Sequence, residues 1–454
     1  MPYSAVAPRL VNQGLGLHNL VARAGHNAAY EIDVTLLDAP DHRLIRSGVL
    51  LAHRVLEGRG EWFLTAPDWQ PLLPKDRIEL MGHADLPEEL ADLIRPLRRR
   101  APLGPVAALH CDRREFALRD DDGVTLALLR DDRVTVRRGG LTTARYREVM
   151  VTPVGPGLTE DQAAFVDRAL LGVGSTHVAR FPRLVTRLGA PATGATDIPP
   201  IDDFDPAGSF KKFLGQLLGL RLRRIVEADL AVRGGDVQAS DALVEQVLAL
   251  ADELAGLALV LDAEWRSDLA DELEWLVGSG ELPQERLPVR LRSERYLALI
   301  DRLVAATRAP KVGELSAEPA SRVLTTLLDT ALGQVGAAVG ALADQEPGPG
   351  WAAVTAALDR LEAATRLARH LLPEVVEALD ARLARPRALL ADLRDQPLSE
   401  DEAGAQVATL SPQEAFAAGR AFERQWARST RARASFVKAW AKAERKLARP
   451  AVAR

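Results

Sequence analysis

The first 190 residues alternate short apolar runs with charged or glycine-containing turns. Runs such as Val124–Leu129 and Val134–Val136 are separated by turns of the types RDDDG and RRGG. This spacing predicts an antiparallel meander in which one sheet face packs on a core and the other meets solvent. Two helices are expected within it, one over Leu86–Arg99 and one beginning at Thr159, where Gln162 completes a capping box.

Residues 209–447 have the apolar spacing of helices, with apolar side chains at i, i+3, i+4 and i+7. The predicted helices are Phe210–Leu230, Leu243–Leu261, Tyr296–Thr307, Ala320–Ala343 and Trp351–Leu372. A further helix is expected after Ser411, because Glu414 completes a capping box there and a proline occupies the first helical position. The segment QEPGPG at 345–350 divides this half near its middle, and two similar sub-bundles or one irregular bundle would both fit the pattern.

The length of 454 residues is too great for one ordinary core and predicts two domains. We place a domain at 1–190, a linker rich in proline, glycine and aspartate at 191–208, a helical domain at 209–447 and a tail at 448–454. Strands followed by helices predict an α+β fold.

Composition narrows the class of protein further. An apolar fraction of 47% and a charged fraction of 27% are typical of a globular chain. No run approaches 18 uncharged apolar residues and no secretory signal is evident, so we expect a cytoplasmic protein without a membrane span. The single cysteine, Cys111, excludes internal disulfides and is expected to lie on a strand in the core. The net charge of −5 argues against nucleic acid as a partner.

Several motifs occur in the same order as in a known family. The N-terminal half contains the run Asp38-Ala-Pro-Asp-His-Arg43-Leu44, then Trp62-Phe-Leu-Thr-Ala-Pro67 and Tyr146-Arg-Glu148-Val. The helical half contains Asp262-Ala-Glu-Trp265 and Ser293-Glu-Arg-Tyr296. Together these runs resemble the bacterial proteins that join a CYTH domain to a CHAD domain, the conserved-histidine α-helical domain.

The resemblance implies an N-terminal antiparallel β tunnel, the triphosphate tunnel fold, followed by an all-α domain of two four-helix sub-bundles. Members of the family cleave inorganic triphosphate in the tunnel and bind polyphosphate on basic helices of the CHAD part. Cleavage requires carboxylates that hold Mg²⁺ or Mn²⁺ and basic residues that neutralise the phosphoryl oxygens.

This sequence departs from the family at the chemical positions of the tunnel. The family carries E-x-E-x-K on its opening strand, whereas residues 1–30 contain no Asp, Glu or Lys. We therefore expect no catalytic residues, no metal site of the family's kind and no cofactor. Four arginines remain as candidates for a residual anion pocket, or else as solvent-facing residues or partners of Glu79 and Glu148. They are Arg54, Arg77, Arg113 and Arg147.

The helical half departs further, because acids replace its basic motif. Asp241 aligns with the family histidine, and residues 236–281 contain twelve acids against one base, Arg266. Such a surface repels a polyanion and is a candidate surface for protein contacts. The interaction-surface candidates are Asp241, Glu245, Asp252, Glu253 and Glu264.

Two other polar features have an open interpretation. From Arg431 to Arg454, eight bases accompany one acid, which fits a docking segment for a nucleic acid, an acidic partner or a neighbouring subunit, or a solvated helix face. The segment Gly172-Val-Gly174-Ser-Thr faintly resembles a phosphate loop, but it lacks the P-loop lysine and follows a predicted helix.

The sequence as a whole predicts a degenerate, catalytically inactive CYTH–CHAD-type protein that acts as a binding or scaffold protein through protein partners or self-association. The alternative is residual binding of polyphosphate, triphosphate or a nucleotide through the four arginines. A third hypothesis is an active metal-dependent triphosphatase with relocated ligands. Neither a membrane nor a nucleic acid is expected as a partner.

Overall fold

The computed structural model describes residues 1–23, 29–56, 58–73, 76–80, 85–178, 184–236, 238–278, 286–342, 349–394, 404 and 410–447. The chain forms two compact units. The first contains residues 1–200, 222–243 and 283–304, and the second contains 201–221, 244–282 and 305–454. The first unit thus includes helical segments that lie beyond the linker predicted at 191–208.

An antiparallel sheet dominates the first unit. Within the described residues its strands are β1 (Asn19–Ala22), β2 (Ala29–Asp38), β3 (Leu50–Leu56), β4 (Arg59–Thr65), β5 (Asp76–Leu80), β6 (Gly104–Arg119), β7 (Thr125–Arg138) and β8 (Leu141–Pro153). The strand order is β5-β4-β3-β2-β6-β7-β8, and β1 also pairs with β6. A sheet followed by helices confirms the predicted α+β class.

Helices follow or interrupt the sheet. In the N-terminal part these are α1 (Arg43–Arg46), α2 (Glu88–Leu93), α3 (Arg95–Arg98), α4 (Glu160–Gly172), α5 (Leu184–Arg187) and α6 (Ala190–Thr193). Beyond residue 208 they are α7 (Phe210–Arg233), α8 (Ala239–Gly256), α9 (Ala263–Val277), α10 (Leu287–Leu291), α11 (Glu294–Arg308), α12 (Ala320–Gly340), α13 (Pro349–Ala368), α14 (Pro373–Arg394) and α15 (Pro412–Leu447). The two capping boxes are confirmed, with Thr159 and Gln162 at α4 and Ser411 and Glu414 at α15.

The two apolar runs predicted as separate strands are one continuous strand. Val134–Val136 and most of Val124–Leu129 belong to β7, and the charged residues between them, Arg130 to Arg133, lie in the middle of that strand. The predicted meander was wrong at this point because charged residues inside a strand resemble a turn in sequence. They are stable there because carboxylates and guanidinium groups pair across the sheet, as described below.

Apolar clusters pack on parts of both faces of the sheet. The expectation of one solvated face therefore holds only in part, with alternate residues such as Asp33 and Ala108 exposed. On one face, Ile32, Cys111 and Tyr146 belong to a buried cluster that also includes Leu184 and Leu188 from α5 and the residues after it. The opposite face packs on the N-terminal segment and α4. That second cluster includes Leu10, Leu17, Leu118, Leu129 and Val166.

The motif Asp38-Ala-Pro-Asp-His-Arg43-Leu44 has a structural role. Asp38 is almost fully buried, and its carboxylate accepts hydrogen bonds from the backbone N–H groups of Ala39, Leu44 and Ile45 at 2.6, 3.0 and 2.9 Å. The carboxylate therefore satisfies the otherwise unpaired donors at the start of α1, as an N-terminal cap does. This motif fixes the turn after β2 without contributing to an anion pocket.

The helix α8 ends earlier than the apolar spacing predicted. The predicted helix Leu243–Leu261 stops at Gly256, turns continue to Val260, and Leu261 forms an isolated β-bridge with Val312. A Cβ atom at Gly256 would lie 2.9 Å from the Cβ of Ala363, so a residue without a side chain is needed where α8 approaches α13.

A buried polar network joins three helices inside the first unit. Asp229 on α7 is fully buried and accepts hydrogen bonds from Tyr296 Oη at 2.9 Å and from Arg233 Nε at 2.8 Å. Arg233 also donates to Asp92 Oδ1 on α2 at 2.6 Å. Burial raises the pKa of Asp229 to about 6, although the charge of Arg233 opposes the shift.

Among the helices that the structure describes, α12 has the length and hydropathy of a membrane-spanning segment, with a mean hydropathy of 1.3. Core helices of soluble proteins meet the same criterion. Seven of its side chains are buried, and it packs against α13. These residues are Ala320, Val323, Leu324, Leu327, Leu328, Ala331 and Val335.

Candidate functional site

The sheet places one candidate arginine directly opposite a carboxylate. Arg113 on β6 is in register with Asp132 on β7 and with Tyr30 on β2. Its Nε and Nη2 atoms donate to the two oxygens of Asp132 at 2.7 and 2.9 Å, and Nη1 donates to Tyr30 Oη at 3.1 Å. Arg130 forms an ion pair with the same carboxylate at 3.2 Å. The guanidinium of Arg113 is thus held in a bidentate pair within the protein.

A second candidate, Arg147 on β8, makes the equivalent pair with the neighbouring carboxylate. Its Nε and Nη2 donate to Asp131 at 2.7 and 2.5 Å, and Nη1 donates to the carbonyl of Ala5 at 2.6 Å. Asp131 and Asp132 are consecutive residues of one strand, so they point to opposite faces of the sheet. Arg113 and Arg147 therefore do not converge on one pocket.

The third candidate, Arg54, pairs with Glu61, which lies opposite it across β3 and β4. Its guanidinium also lies over the ring of Phe63, 3.9 Å from the centroid. The backbone of Arg77 lies on β5 opposite Leu64, but its side chain and that of Glu79 fall outside the described part of the structure.

These placements revise the expected anion pocket. Each of the three arginines whose side chain is described has a carboxylate partner, and the partners were missed in the sequence. They are Asp131, Asp132 and Glu61. The sequence signal that could have indicated two of them is the charged run Arg130 to Arg133, if it had been recognised as the middle of a strand.

The apolar environment around these pairs changes the acidity of two neighbours. Burial, with the charge of Asp132, raises the pKa of the Cys111 thiol to about 12. Burial, with the charge of Glu148, also raises the pKa of Tyr146. Cys111 is buried in the sheet, as predicted, and a thiol with so high a pKa is a packing residue and a poor nucleophile.

One of the acidic candidates in the helical half does not lie on a surface. Glu253 is 2% exposed and accepts hydrogen bonds from Arg221 Nη2 and Nε at 2.6 and 2.9 Å. Burial opposes its ionisation, but hydrogen bonds from His370 and Arg221 outweigh burial and lower the pKa of Glu253. The prediction of Glu253 as an interaction residue was wrong, because this carboxylate joins α8 to α7.

The other acidic candidates are exposed. Asp241 and Glu245 lie on the exposed face of α8, and Glu264 lies in the first turn of α9. Asp252 is also exposed and pairs with Arg366 of α13 at 3.0 Å. Further along α9, three more acids are exposed at helical spacing after Glu264. They are Asp268, Asp271 and Glu274.

The basic segment near the C-terminus is the outer face of α15. Arg433 is an exception, because it is buried and donates to Ser429 Oγ at 2.7 Å and to Thr430 Oγ1 at 3.0 Å. From Arg431 onward, the exposed bases of this helix are Arg431, Lys438, Lys442, Arg445 and Lys446. Residues 448–454, which include the predicted tail, lie outside the described residues.

A search for metal-ligating geometry brings together no three His, Cys, Asp or Glu side chains within the ranges that the structure describes. Three carboxylates of the sheet, those of Glu61, Asp131 and Asp132, instead contact guanidinium groups, as given above.

No protein-family model matches this sequence. Two curated relatives come from Mycobacterium tuberculosis strains CDC 1551 / Oshkosh and ATCC 25618 / H37Rv, where they are named "Uncharacterized protein MT2285" and "Uncharacterized protein Rv2226". Each is 27% identical over 335 residues, which cover 63% of this chain and 65% of the relative, so the chain spans less than two thirds of their length. The solved structure of PptA from Streptomyces chartreusis is 18% identical, with a TM-score of 0.36, and the match covers 52% of this chain and all of PptA.

Proposed function

We propose that this protein is a degenerate, non-catalytic relative of the CYTH–CHAD proteins that acts by binding other protein surfaces in the cytoplasm. The sequence motifs carry the resemblance. The proposal that triphosphate cleavage has been lost depends on the contacts that the arginines of the sheet make.

The observation that carries the proposal is the bidentate pair of Arg113 and Asp132. A triphosphate bound at this face would have to displace a carboxylate that already makes both hydrogen bonds of the guanidinium fork. It would also approach a guanidinium whose charge Asp132 already offsets. Arg54 with Glu61 and Arg147 with Asp131 repeat the arrangement, so the sheet neutralises the charges that phosphoryl transfer would require.

The exposed acids of α8 and α9 support a role in protein contacts. Glu245, Glu264, Asp271 and Glu274 are exposed, and Arg266 is the single base in the sequence between 236 and 281. Like charges at this density favour a basic partner surface, which lowers their mutual repulsion. The exposed bases of α15 have the complementary charge, so a second copy of this chain is the partner that the charges favour.

The experiment that tests the loss of chemistry is phosphate release from tripolyphosphate or ATP with Mg²⁺ or Mn²⁺. We expect release at the level of a buffer control. Turnover above that level that chelation abolishes would overturn the proposal and favour the active triphosphatase. Tight tripolyphosphate binding without turnover, lost in Arg54→Gln and Arg113→Gln, would favour residual phosphate binding instead.

A further inference from the structure

The long helix α15 carries a stripe of exposed bases along one side. Each of these bases lies three, four or seven residues from another of the set, and residues at such spacings share one side of a helix. The basic stripe consists of Arg420, Arg424, Arg428, Arg431, Lys438, Lys442, Arg445 and Lys446.

The basic stripe lies opposite the side by which α15 packs on its unit. This helix contacts α14, and Ser429, Phe436 and Trp440 are buried. A base follows each of these three residues by two positions, which turns its side chain by about 200° around the helix axis. The bases therefore lie away from the contacts that hold α15 in place.

The charges of the basic stripe are not offset in the way that the arginines of the sheet are. Among the side chains that the structure describes, no carboxylate forms an ion pair with any base of the stripe. The Nε atoms of Arg424, Arg431 and Arg445 instead donate to carbonyl oxygens four residues earlier in α15, at 3.0–3.1 Å. Like charges four residues apart repel, so a partner surface of opposite charge would stabilise the stripe.

Helix α9 carries acids at the same spacing as three of these bases. Glu264, Asp268 and Asp271 are exposed and lie at i, i+4 and i+7, and we call them the acidic triplet. The basic triplet of α15, which has the same spacing, is Arg424, Arg428 and Arg431. Two helices packed side by side in parallel would place the triplets opposite each other, because both rise by about 6 Å and then about 4.5 Å along the axis.

Exposed apolar residues indicate the direction and the register of this pairing. Phe416 is 68% exposed and precedes the basic triplet by eight residues, and Leu259 is 66% exposed and precedes the acidic triplet by five. In a parallel arrangement these two apolar side chains lie at the same end. The bases at 438, 442 and 445 repeat the spacing, but Thr430 stands eight residues before them. The apolar ends therefore favour the earlier triplet.

We propose that α15 of one copy of this chain packs parallel to α9 of a second copy, with the basic triplet facing the acidic triplet. The net charge of −5 repels a nucleic acid or an anionic membrane at longer range, whereas a second copy supplies acids at the matching spacing. This inference rests on the protein-binding role proposed above and names the two surfaces that meet.

The test exchanges the charges of the two triplets in the full-length protein. The variants R424E/R428E/R431E and E264R/D268R/D271R should each weaken self-association at low salt by at least about tenfold, because each makes the facing helices like-charged. An equimolar mixture of the two should associate within about threefold of the wild-type protein, since the mixture restores opposite charges. Sedimentation velocity measures all three.

Two further variants separate this contact from a general effect of charge or folding. The control R59E/R137E/R385E reverses three exposed arginines elsewhere and should leave self-association within about twofold. Phe416→Ser keeps every charge and should weaken association severalfold without lowering the melting temperature, because Phe416 is exposed. Circular dichroism checks that each variant keeps its helical content.

The outcomes distinguish this pairing from the broader protein-binding role. Wild-type association that survives both triplet reversals, or a mixture that does not recover, would overturn the pairing and leave the protein-binding role standing. A wild-type protein that remains a monomer at every salt concentration would overturn both. Binding of duplex DNA or anionic vesicles by such a monomer, lost in R424E/R428E/R431E, would assign the basic stripe to that ligand instead.

Discussion

Arg113 and Asp132 stand directly opposite one another on neighbouring antiparallel strands, where Nε of Arg113 donates to Oδ1 of Asp132 and Nη2 donates to Oδ2. Arg113, which the sequence suggested as a ligand for an external anion, is therefore paired with a carboxylate of the protein itself. The carboxylate of Asp132 lies where the oxygens of a bound phosphate would otherwise contact Arg113.

The variant Asp132→Asn should destabilise the protein by about 2–4 kcal/mol, because it leaves the partly buried guanidinium of Arg113 without its counter-charge. Urea unfolding measures this change. The matched control Asp112→Asn removes the carboxylate of an exposed pair with Arg114 and should cost less than about 1 kcal/mol. Equal losses in the two variants would show that the pair of Arg113 and Asp132 has no special role in stability.

The same substitution should also change ligand binding. With Asp132 neutral, the charge of Arg113 becomes available, so affinity for tripolyphosphate should rise at low salt. Calorimetric titration of the wild-type protein and Asp132→Asn measures the difference. Unchanged binding in the variant would indicate that the carboxylate is not what prevents an anion from binding at this face.

Asp229 should make part of the stability depend on pH. Its pKa is raised by burial to about 6, above the value of 3.8 for an unperturbed aspartate, so the protonated carboxyl favours the folded state. That contribution is complete below the unfolded-state pKa and is lost as pH rises through the folded-state value. The free energy of unfolding of the wild-type protein relative to Asp229→Asn should therefore fall by about 3 kcal/mol between about pH 4 and about pH 7.

Urea unfolding of both proteins across this pH range tests the assignment. Two profiles that run parallel throughout would mean that Asp229 ionises with an ordinary pKa.

Glu253 and Asp252 are adjacent in sequence, but Glu253 is buried and Asp252 is exposed. Variants of the two residues therefore allow a second matched comparison of stability. Glu253→Gln should destabilise the protein by about 3 kcal/mol, because it removes the charged partner of Arg221 between α7 and α8. Asp252→Asn affects an exposed pair with Arg366 and should change stability by less than about 1 kcal/mol. Thermal or urea unfolding distinguishes the two, and a surface role for both residues would require both effects to be small.

The sequence predicted the class of fold and the capping boxes because these depend on local spacing. Thr159 with Gln162 and Ser411 with Glu414 are separated by three residues, and their contacts follow from helix geometry alone. The site was harder to predict, because the partner of Arg113 lies on another strand. Only the register of β6 and β7 shows that Asp132 faces it.

The burial of Glu253 in the helical half could not be predicted from the sequence either. Glu253 lies within a run of acids that are otherwise exposed, and nothing nearby in sequence indicates that Arg221 reaches it from α7.

The exposed acids of α8 and α9 are proposed to bind a basic protein surface, and self-association is the most direct test of this claim. The informative variant reverses Glu245, Glu264, Asp271 and Glu274 to lysine, leaving the buried Glu253 intact. A control with the same change in net charge reverses four other exposed acids, and its positions are Asp121, Asp122, Glu374 and Glu377.

Sedimentation velocity at low and high salt measures the mass of each protein. The account predicts that the wild-type protein and the control associate at low salt and dissociate as salt screens the charges, while the α8–α9 variant remains a monomer with unchanged helical content. A wild-type protein that is monomeric at every salt concentration, or an association that survives reversal of these four acids, would contradict it.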